Sequence, residues 1–396
     1  MKILIIVDDY MPSSIKVAAK MMHELALEFT AKGHEITILA PAPSLSKNID
    51  IQYIDGIKVL LFKSGNLKNI SKIKRAINES LLSFFAWKAT GSYFKSNPHD
   101  AIVYYSPTIF WGNIVGKLKK LWHVKSYLVL RDIFPQWTVD NGLMKKGTPI
   151  YLYFKFFEQI NYKKADHIGI MSPLYLNFLK ATRKDAYKFE VLNNWTKINP
   201  LKTPSDYYRK QLNLEDKIVF FYGGNIGHAQ DMQNLIRLAK RLKENAVAHF
   251  LFVGTGDEVS LILSEIEAHQ LNNITYLPSV DQETYFNMLS EFDIGLFSLH
   301  PGHKTHNFPG KLLGYMELSK PILGSVNPGN DLKELVNTCN AGYVFDNGED
   351  EDLYQAALLL IESETLRNKI GMNARELLVS HFSVEQACSL ILNRLN

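Results

Sequence analysis

The sequence predicts an α/β protein built from two doubly wound domains, and three observations predict it. Strand-length apolar runs alternate with amphipathic helical stretches along nearly the whole chain. That order gives parallel sheets with right-handed crossovers. The length, 396 residues, is long for one core and natural for two. Near the middle the alternation breaks at WTKINPLKTPSDYYR, residues 195–209, a polar stretch with two prolines that reads as a linker.

The first forty residues set the pattern. KILIIVD reads as a buried strand and DYMPSSIK as a turn. VAAKMMHELALEFTAKG is a helix with apolar residues at 3.6-residue spacing, closed by Gly33, and HEITILAP is the next strand. IQYIDGIKVLLF, AIVYYS, SYLVLRD and HIGIMS supply further strands. Residues 68–97 contain a helix with Ile70, Ile73, Ile77, Leu81 and Phe84 on one face. After the linker, KIVFFYGG, AHFLFVGTG, ITYLPSV, DIGLFSLH, KPILGSV and AGYVF read as strands, with QNLIRLAKRLKEN and LILSEIEAHQL as helices. The expected division is a Rossmann-like domain at 1–198, a second at 199–375, and a C-terminal helix at 376–396 that returns to the first domain. Two such domains are expected to face each other across a cleft, where open α/β sheets bind ligands.

Composition narrows the class. Apolar residues make up 46% and charged residues 21%, so a folded globular chain is expected. Two cysteines, Cys339 and Cys388, are too few for a disulfide framework and fit buried thiols in a reducing cytoplasm. The N-terminus runs straight into a strand, without the pattern of a secretory leader. No uninterrupted run of about 18 apolar residues is present to span a bilayer.

Net charge divides the chain more sharply than its total of +4 shows. Residues 1–200 hold 28 Lys+Arg and 15 Asp+Glu, a net of +13; the remainder holds 16 and 25, a net of −9. Opposite charge on the two halves points to different partners. The basic half lacks helix-turn-helix, zinc-finger and RNA-binding signatures, which weighs against nucleic acid. It does contain KNISKIKRAINESLLSFFAWKATGSYFK, GKLKKLWHVK and YLYFKFFEQINYKK, which mix lysine with large apolar side chains. Such segments suit an anionic membrane surface. Ordinary amphipathic helices with solvated lysines would look the same one at a time; three in one half favour peripheral binding at the inner face of the cytoplasmic membrane.

Three loops carry candidate chemistry. In FFYGGNIGHAQD, residues 220–231, a strand enters Gly223, Gly224 and Gly227 before a helix. Glycine lets backbone amides approach a phosphate, and a following helix adds positive potential. A plain tight turn would use the same residues. No Lys-Ser/Thr follows, which excludes a Walker loop. A second turn, Gly254-Thr255-Gly256-Asp257, ends the strand HFLFV. The third, HPGHKTHNFPGKLLGYMELSKPIL at 300–323, offers Lys304 and Lys311 as cations for a pyrophosphate. His300, His303 and His306 invite a metal. Pro301 and Gly302 break the helix that would align them, and no carboxylate or cysteine completes the set, so no metal is expected. Asp132 stands where a strand ends before Ile133-Phe134-Pro135, either capping a turn or facing the cleft, with Arg131 beside it to keep it ionised.

Taken in order, YMPSS, MMHELALEFTAKGHEITILAP, RDIFPQW, ADHIGIMS, VLNNW, FYGGNIGHAQD, FVGTGDE and NFPGKLLGYMELSKPIL resemble glycosyltransferase family 4, with the GT-B fold. The resemblance spans almost the whole chain. RDIFPQW, NNW and GGNIGHAQD are most similar to bacterial L-fucosamine (N-acetyl-L-fucosamine) transferases of O-antigen and capsule synthesis. The resemblance implies a retaining, metal-independent transferase without a cofactor, which uses a UDP-sugar donor and a lipid-pyrophosphate-linked saccharide acceptor. It places Gly223, Gly224, Asn225 and Gly227 around the donor pyrophosphate, with Lys311 as main cation and Gln230 and Gly254 nearby. It gives Ser13, Ser14 and Lys16 to a loop near the phosphates and acceptor, and Asp132 to the reacting sugar. Where the family carries two glutamates seven residues apart, this chain has His306 and Gly314. Glu317, one helical turn on, could replace the second or be a solvated helix residue. That departure bears on the nucleotide and sugar contacts. It keeps two rivals in view: a nucleotide-sugar epimerase of the same fold and a non-catalytic partner subunit.

Overall fold

The protein is described by a computed structural model covering residues 1–12, 14, 17–67, 70–140, 142–201, 204–302 and 308–396. It forms two compact units, residues 1–197 with 384–396, and residues 198–383. The C-terminal stretch therefore divides at Ser383–Val384 rather than at 376. Residues 364–381 form a helix of the second unit, and only the last helix, Val384–Leu395, joins the first.

The N-terminal unit holds an eight-stranded sheet. Its strands are β1 (Lys2–Ile6), β2 (Glu35–Pro41), β3 (Ile49–Ile54), β4 (Ile57–Phe62), β5 (Ala101–Ser106), β6 (Lys125–Leu130), β7 (His167–Ile170) and β8 (Phe189–Val191), in spatial order β3-β4-β2-β1-β5-β6-β7-β8. All pairs are parallel except β3 with β4. The central strands are buried on both faces, which explains their continuous apolar sequences. The stretch expected as one strand, IQYIDGIKVLLF, is instead a hairpin. Asp55 and Gly56 turn it with φ of 48° and 81°, the two positive angles of a two-residue hairpin loop.

The helix expected over 68–97 is two helices, Lys72–Ser80 and Leu82–Ser96. Of the apolar face read from the sequence, Ile77, Leu81 and Phe84 are exposed, while Leu82, Ala86 and Phe94 pack on the sheet. A continuous 3.6-residue register cannot be carried through the break at Leu81, which rotates the second helix relative to the first. The linker also begins later than expected. Trp195 is 1% exposed, donates its indole N–H to Met21 O at 2.7 Å, and belongs to the first core. Helix Val384–Leu395 closes that core with Cys388 and Ile391 packed against helix Val17–Ala31.

The second unit holds a six-stranded, all-parallel sheet. Its strands are β9 (Ile218–Asn225), β10 (Ala248–Thr255), β11 (Ile274–Leu277), β12 (Ile294–Ser298), β13 (Ile322–Val326) and β14 (Gly342–Asp346), ordered β11-β10-β9-β12-β13-β14. The chain enters it through Arg209, whose guanidinium bonds Asp293 at 2.7 Å and the carbonyls of Glu291 and Lys217 at 2.8 Å each. Both sheets are of the Rossmann type. In each, the C-terminal strand ends are where chemistry is expected.

Candidate functional site

In the second unit, β9 delivers the glycine loop. Gly224 has φ of 115°, backbone that L side chains rarely adopt. The end of β10 runs beside it so closely that a Cβ on Gly254 would lie 1.8 Å from Gly224 O. Gly254 thus acts by letting two strand ends approach. Gly223 backs onto Tyr285, whose ring a Cβ there would meet at 2.2 Å. Beyond them, Asn225 Nδ2 donates to Gln230 Oε1 at 2.6 Å, and Gly227 lies against Asn225 and Asp257. Asp257 and Glu258, from the β10 turn, accept the backbone N–H groups of His228 at 3.2 Å and Met232 at 3.0 Å. These two acids hold the loop open at the start of helix Met232–Arg241.

Lys311 is the centre of this site. It starts helix Lys311–Glu317, and its Nζ lies 3.3 Å over the ring of Tyr222. A Cβ on Gly224 would stand 4.0 Å from that Nζ. The ammonium is buried and has no hydrogen-bond partner among the described residues. Burial pushes its pKa well below the usual lysine value. A buried cation without a partner is costly, and a ligand anion would relieve it. Three tyrosines frame the spot and were missed in the sequence. Tyr222 faces the ammonium; Tyr315 OH donates to Leu296 O at 2.9 Å and accepts from Gly223 N at 3.4 Å; Tyr285 bonds Tyr315. Only their β-strand and helix settings reveal them, because scattered tyrosines in a sequence read as core.

Glu317 is corrected. It is 6% exposed, and its Oε1 accepts from Asn199 Nδ2 at 2.6 Å; its backbone carbonyl accepts from Arg375. Gly314, one turn earlier, faces Leu289 and Phe286. Glu317 therefore ties the helix to the segment entering this unit and is not a solvated helix residue. Lys304 and His306, with His303, lie outside the described residues.

In the N-terminal unit, Asp132 follows β6 at the sheet's C-terminal edge, open to solvent on one side but flanked by enough protein to be partly desolvated. Loss of surrounding water raises its pKa, and Arg131 opposes that rise without overcoming it. Arg131 itself turns inward. It donates to Leu130 O at 3.2 Å and Asn193 O at 3.0 Å, and lies over Trp195. Arg131 thus favours the ionised carboxylate, as its place in the sequence suggests, but less than desolvation opposes it. Burial pushes the Tyr105 phenol pKa up, Arg131 opposes this, and Asp8 and Asp132 add to it; Asp8 and Tyr105 line one small cavity at these strand ends. Ser14 is buried and donates to Asp9 at 2.8 Å, fastening the loop after β1. Ser13 and Lys16 lie outside the described residues. Asp8 and Asp9 were not anticipated; their position directly after β1 was the available signal.

Comparison with known proteins agrees with this geometry. Residues 205–377 match the family described as glycosyl transferases group 1. A probable glycosyltransferase, WbjE of Pseudomonas aeruginosa, is 23% identical over 222 residues, 55% of each chain. The putative colanic acid biosynthesis glycosyl transferase WcaI of Escherichia coli is 23% identical over 359 residues, 85% of this chain and 86% of that one. The chain spans 55% and 65% of the length of the first two curated relatives it matches. Among solved structures, sucrose-phosphate synthase of Thermosynechococcus elongatus superposes with a TM-score of 0.75 at 14% identity, covering 99% of this chain and 98% of that one. Anabaena HepE, in complex with UDP, gives 0.68 at 17% identity, covering 100% and 99%. The chain has the GT-B fold, and residues 205–377, most of its C-terminal unit, match the glycosyl transferases group 1 family.

Proposed function

We propose that the protein is a glycosyltransferase of polysaccharide or lipopolysaccharide synthesis, taking a sugar from a UDP-sugar held by the C-terminal unit. The observation that carries this reading is the buried Lys311 ammonium beside Gly224, unpartnered among the described residues. A diphosphate supplies the anion it lacks, and the glycine loop gives that anion access to backbone. HepE, a structural neighbour, has been solved with UDP, which supports the nucleotide. N-acetyl-L-fucosamine is the donor sugar we favour, on the resemblance of RDIFPQW, NNW and GGNIGHAQD alone.

The reaction needs little covalent chemistry from the protein. The bond between the sugar's anomeric carbon and the β-phosphate oxygen breaks, and an acceptor hydroxyl oxygen bonds that carbon. The acceptor proton passes to the departing phosphate, and UDP leaves. Lys311 stabilises the charge growing on that phosphate. Asp132 orients the sugar or the acceptor hydroxyl. The configuration is retained and no metal takes part in this reading.

A lipid-linked acceptor at an anionic membrane completes the proposal. Ile77, Phe84, Leu152 and Phe156 are between 54% and 58% exposed. Tyr153, on helix Pro149–Lys164, donates to Ser80 of helix Lys72–Ser80 at 2.7 Å, so these side chains flank one seam. Lys74, Arg75, Lys145, Lys146 and Lys155 belong to the same elements and loop. Among the described residues, no helix is long and apolar enough to cross a membrane, so this face supports surface binding.

The deciding experiment is a thermal-shift screen of UDP, UDP-N-acetyl-L-fucosamine and other UDP-sugars. A ligand that binds the native state raises its melting temperature. Stabilisation by UDP in the wild type, lost in Lys311→Ala, is expected. No shift with any nucleotide would sink the reading.

A further inference from the structure

In the second sheet the chain lays β10 and β11 to one side of β9 and then returns to place β12 on the other. The boundary between β9 and β12 is thus the switch point of the sheet, where a crevice opens outside the strand ends. β9 pairs with β10 over eight residues but with β12 over only two, Phe220 with Ile294 and Phe221 with Gly295. Past those pairs no ladder joins the two strands. Tyr315 fills the root of the gap, its hydroxyl accepting from Gly223 N and donating to Leu296 O. The glycine loop forms one side of the crevice. The other side is the chain after β12, which leads on to Lys311.

Beyond the gap the two tips are tied together again. Asp231 ends the glycine loop with φ of 47° and opens helix Met232–Arg241. An aspartate at that position ordinarily caps its own helix through its side chain. This one makes no such bond. Its Oδ2 instead accepts from Asn347 Nδ2 at 2.8 Å, and the same nitrogen donates to Leu299 O, just past β12, at 2.9 Å. A carboxylate and a carbonyl both accept, so the amide must turn its nitrogen to them. His300 N donates to Ala229 O at 3.1 Å between the same two tips. Asn347 is anchored apart from both. Its N–H donates to Val326 O at 2.8 Å, at the end of β13. The side chain therefore reaches both loops from the firm end of β14.

We infer that Asn347 is a positioning residue for the donor: its amide staples the far end of the glycine loop to the chain after β12, and so fixes the width of the crevice in which the donor phosphate meets Lys311. This rests on the reading of that crevice as the donor site.

Calorimetric titration of the full chain with UDP, alongside saturation-transfer NMR with uridine, tests it. Asn347→Ala should weaken UDP about ten-fold, because the loops drift apart around the phosphate. Uridine carries no phosphate for Lys311, and its affinity should stay within about two-fold. Asn347→Asp sets a second carboxylate against Asp231 and should weaken UDP further, about thirty-fold. Adding Asp231→Asn to that variant restores a donor facing an acceptor and should return UDP to within about three-fold of wild type. Should Asn347→Ala fail to fold, Asp231→Gly removes the same bond, suits the left-handed backbone and carries the same expectations. A side chain that only stabilised the unit would lower UDP and uridine together. Unchanged UDP affinity in Asn347→Ala, equal losses for UDP and uridine, or no recovery in the reversed pair overturns the inference. Failure of UDP to bind the wild type overturns the donor reading instead.

Discussion

The half of the chain with net charge +13 presents carboxylates at its sheet edge, and the half with −9 buries the Lys311 ammonium at its own. Asp8, Asp9 and Asp132 stand at the ends of β1 and β6; Lys311 stands beside β9. The net charge of a domain therefore reports what its outer surface meets, through a field screened over about 10 Å. The site is set by two or three side chains in a low dielectric, where a single unpartnered charge outweighs many solvated ones. Among the described residues the two scales carry opposite signs in both units.

The largest expected effect comes from removing the ammonium. Lys311→Met should weaken UDP binding about 100-fold, since a charged hydrogen bond is worth roughly 1.5–3 kcal/mol and the methionine makes none. The same variant should melt about 3 °C higher without ligand, because an unpartnered buried charge is replaced by an apolar chain of similar shape. Calorimetry and thermal melting check both. Loss of binding with loss of stability would mean Lys311 is structural. The pH dependence follows from the depressed pKa. Lys311 in the folded apo protein releases its proton below the unfolded value, so its contribution to stability is present above that value and is lost as pH falls through the folded pKa. Binding an anion restores the proton. UDP affinity should fall as pH rises above the folded pKa, with proton uptake visible as a buffer-dependent heat.

Next is the outer surface of the basic half. Leu152→Asp with Phe156→Asp removes two exposed apolar side chains and adds two negative charges. Each side chain contributes up to about 1.5–3 kcal/mol if buried in a lipid interface. Flotation with anionic vesicles should drop more than about ten-fold, with UDP binding unchanged. Equal flotation of variant and wild type would remove the membrane from the proposal and leave the charge of this half unexplained.

Gly254→Ala probes how the ammonium's site is built. Its Cβ would fall 1.8 Å from Gly224 O, so β9 and β10 must part. Overpacking of this kind costs about 1–3 kcal/mol. Both stability and UDP affinity should fall, because Gly224 moves away from Lys311. A variant that keeps wild-type affinity would show that the glycine loop does not depend on this contact.

The two halves also differ in how far the sequence disclosed them. Strand runs such as KILIIVD and KIVFFYGG are long, apolar and bounded by glycine or aspartate, and both sheets follow from them. The glycine loop and Lys311 were visible for the same reason: glycine and lysine beside a strand end are chemically unusual. The hairpin at Asp55–Gly56 was legible and overlooked, because a long apolar run masked its turn dipeptide. The apolar face over 68–97 was legible, but its direction was not, since periodicity shows that a stripe is apolar without showing which side meets a core. Tyr222, Tyr285 and Tyr315 come from three separate elements. Their meeting around Lys311 is a product of tertiary packing, which no local pattern encodes.

The smallest expected effect tests the role of Glu317. Were it a ribose contact, Glu317→Gln would cost UDP affinity. Its carboxylate instead accepts from Asn199 Nδ2, and its carbonyl accepts from Arg375. Glutamine keeps an acceptor oxygen and the size of the side chain. What it loses is the charge of one hydrogen bond, so stability should fall by about 1 kcal/mol. UDP affinity should stay within about two-fold of wild type, since the site's cation is Lys311 and its shape comes from Gly224 and Gly254. A drop of ten-fold or more in UDP affinity, with stability unchanged, would return Glu317 to the donor site. It would also mean that the acidic half uses a carboxylate where the present contrast gives it only a cation.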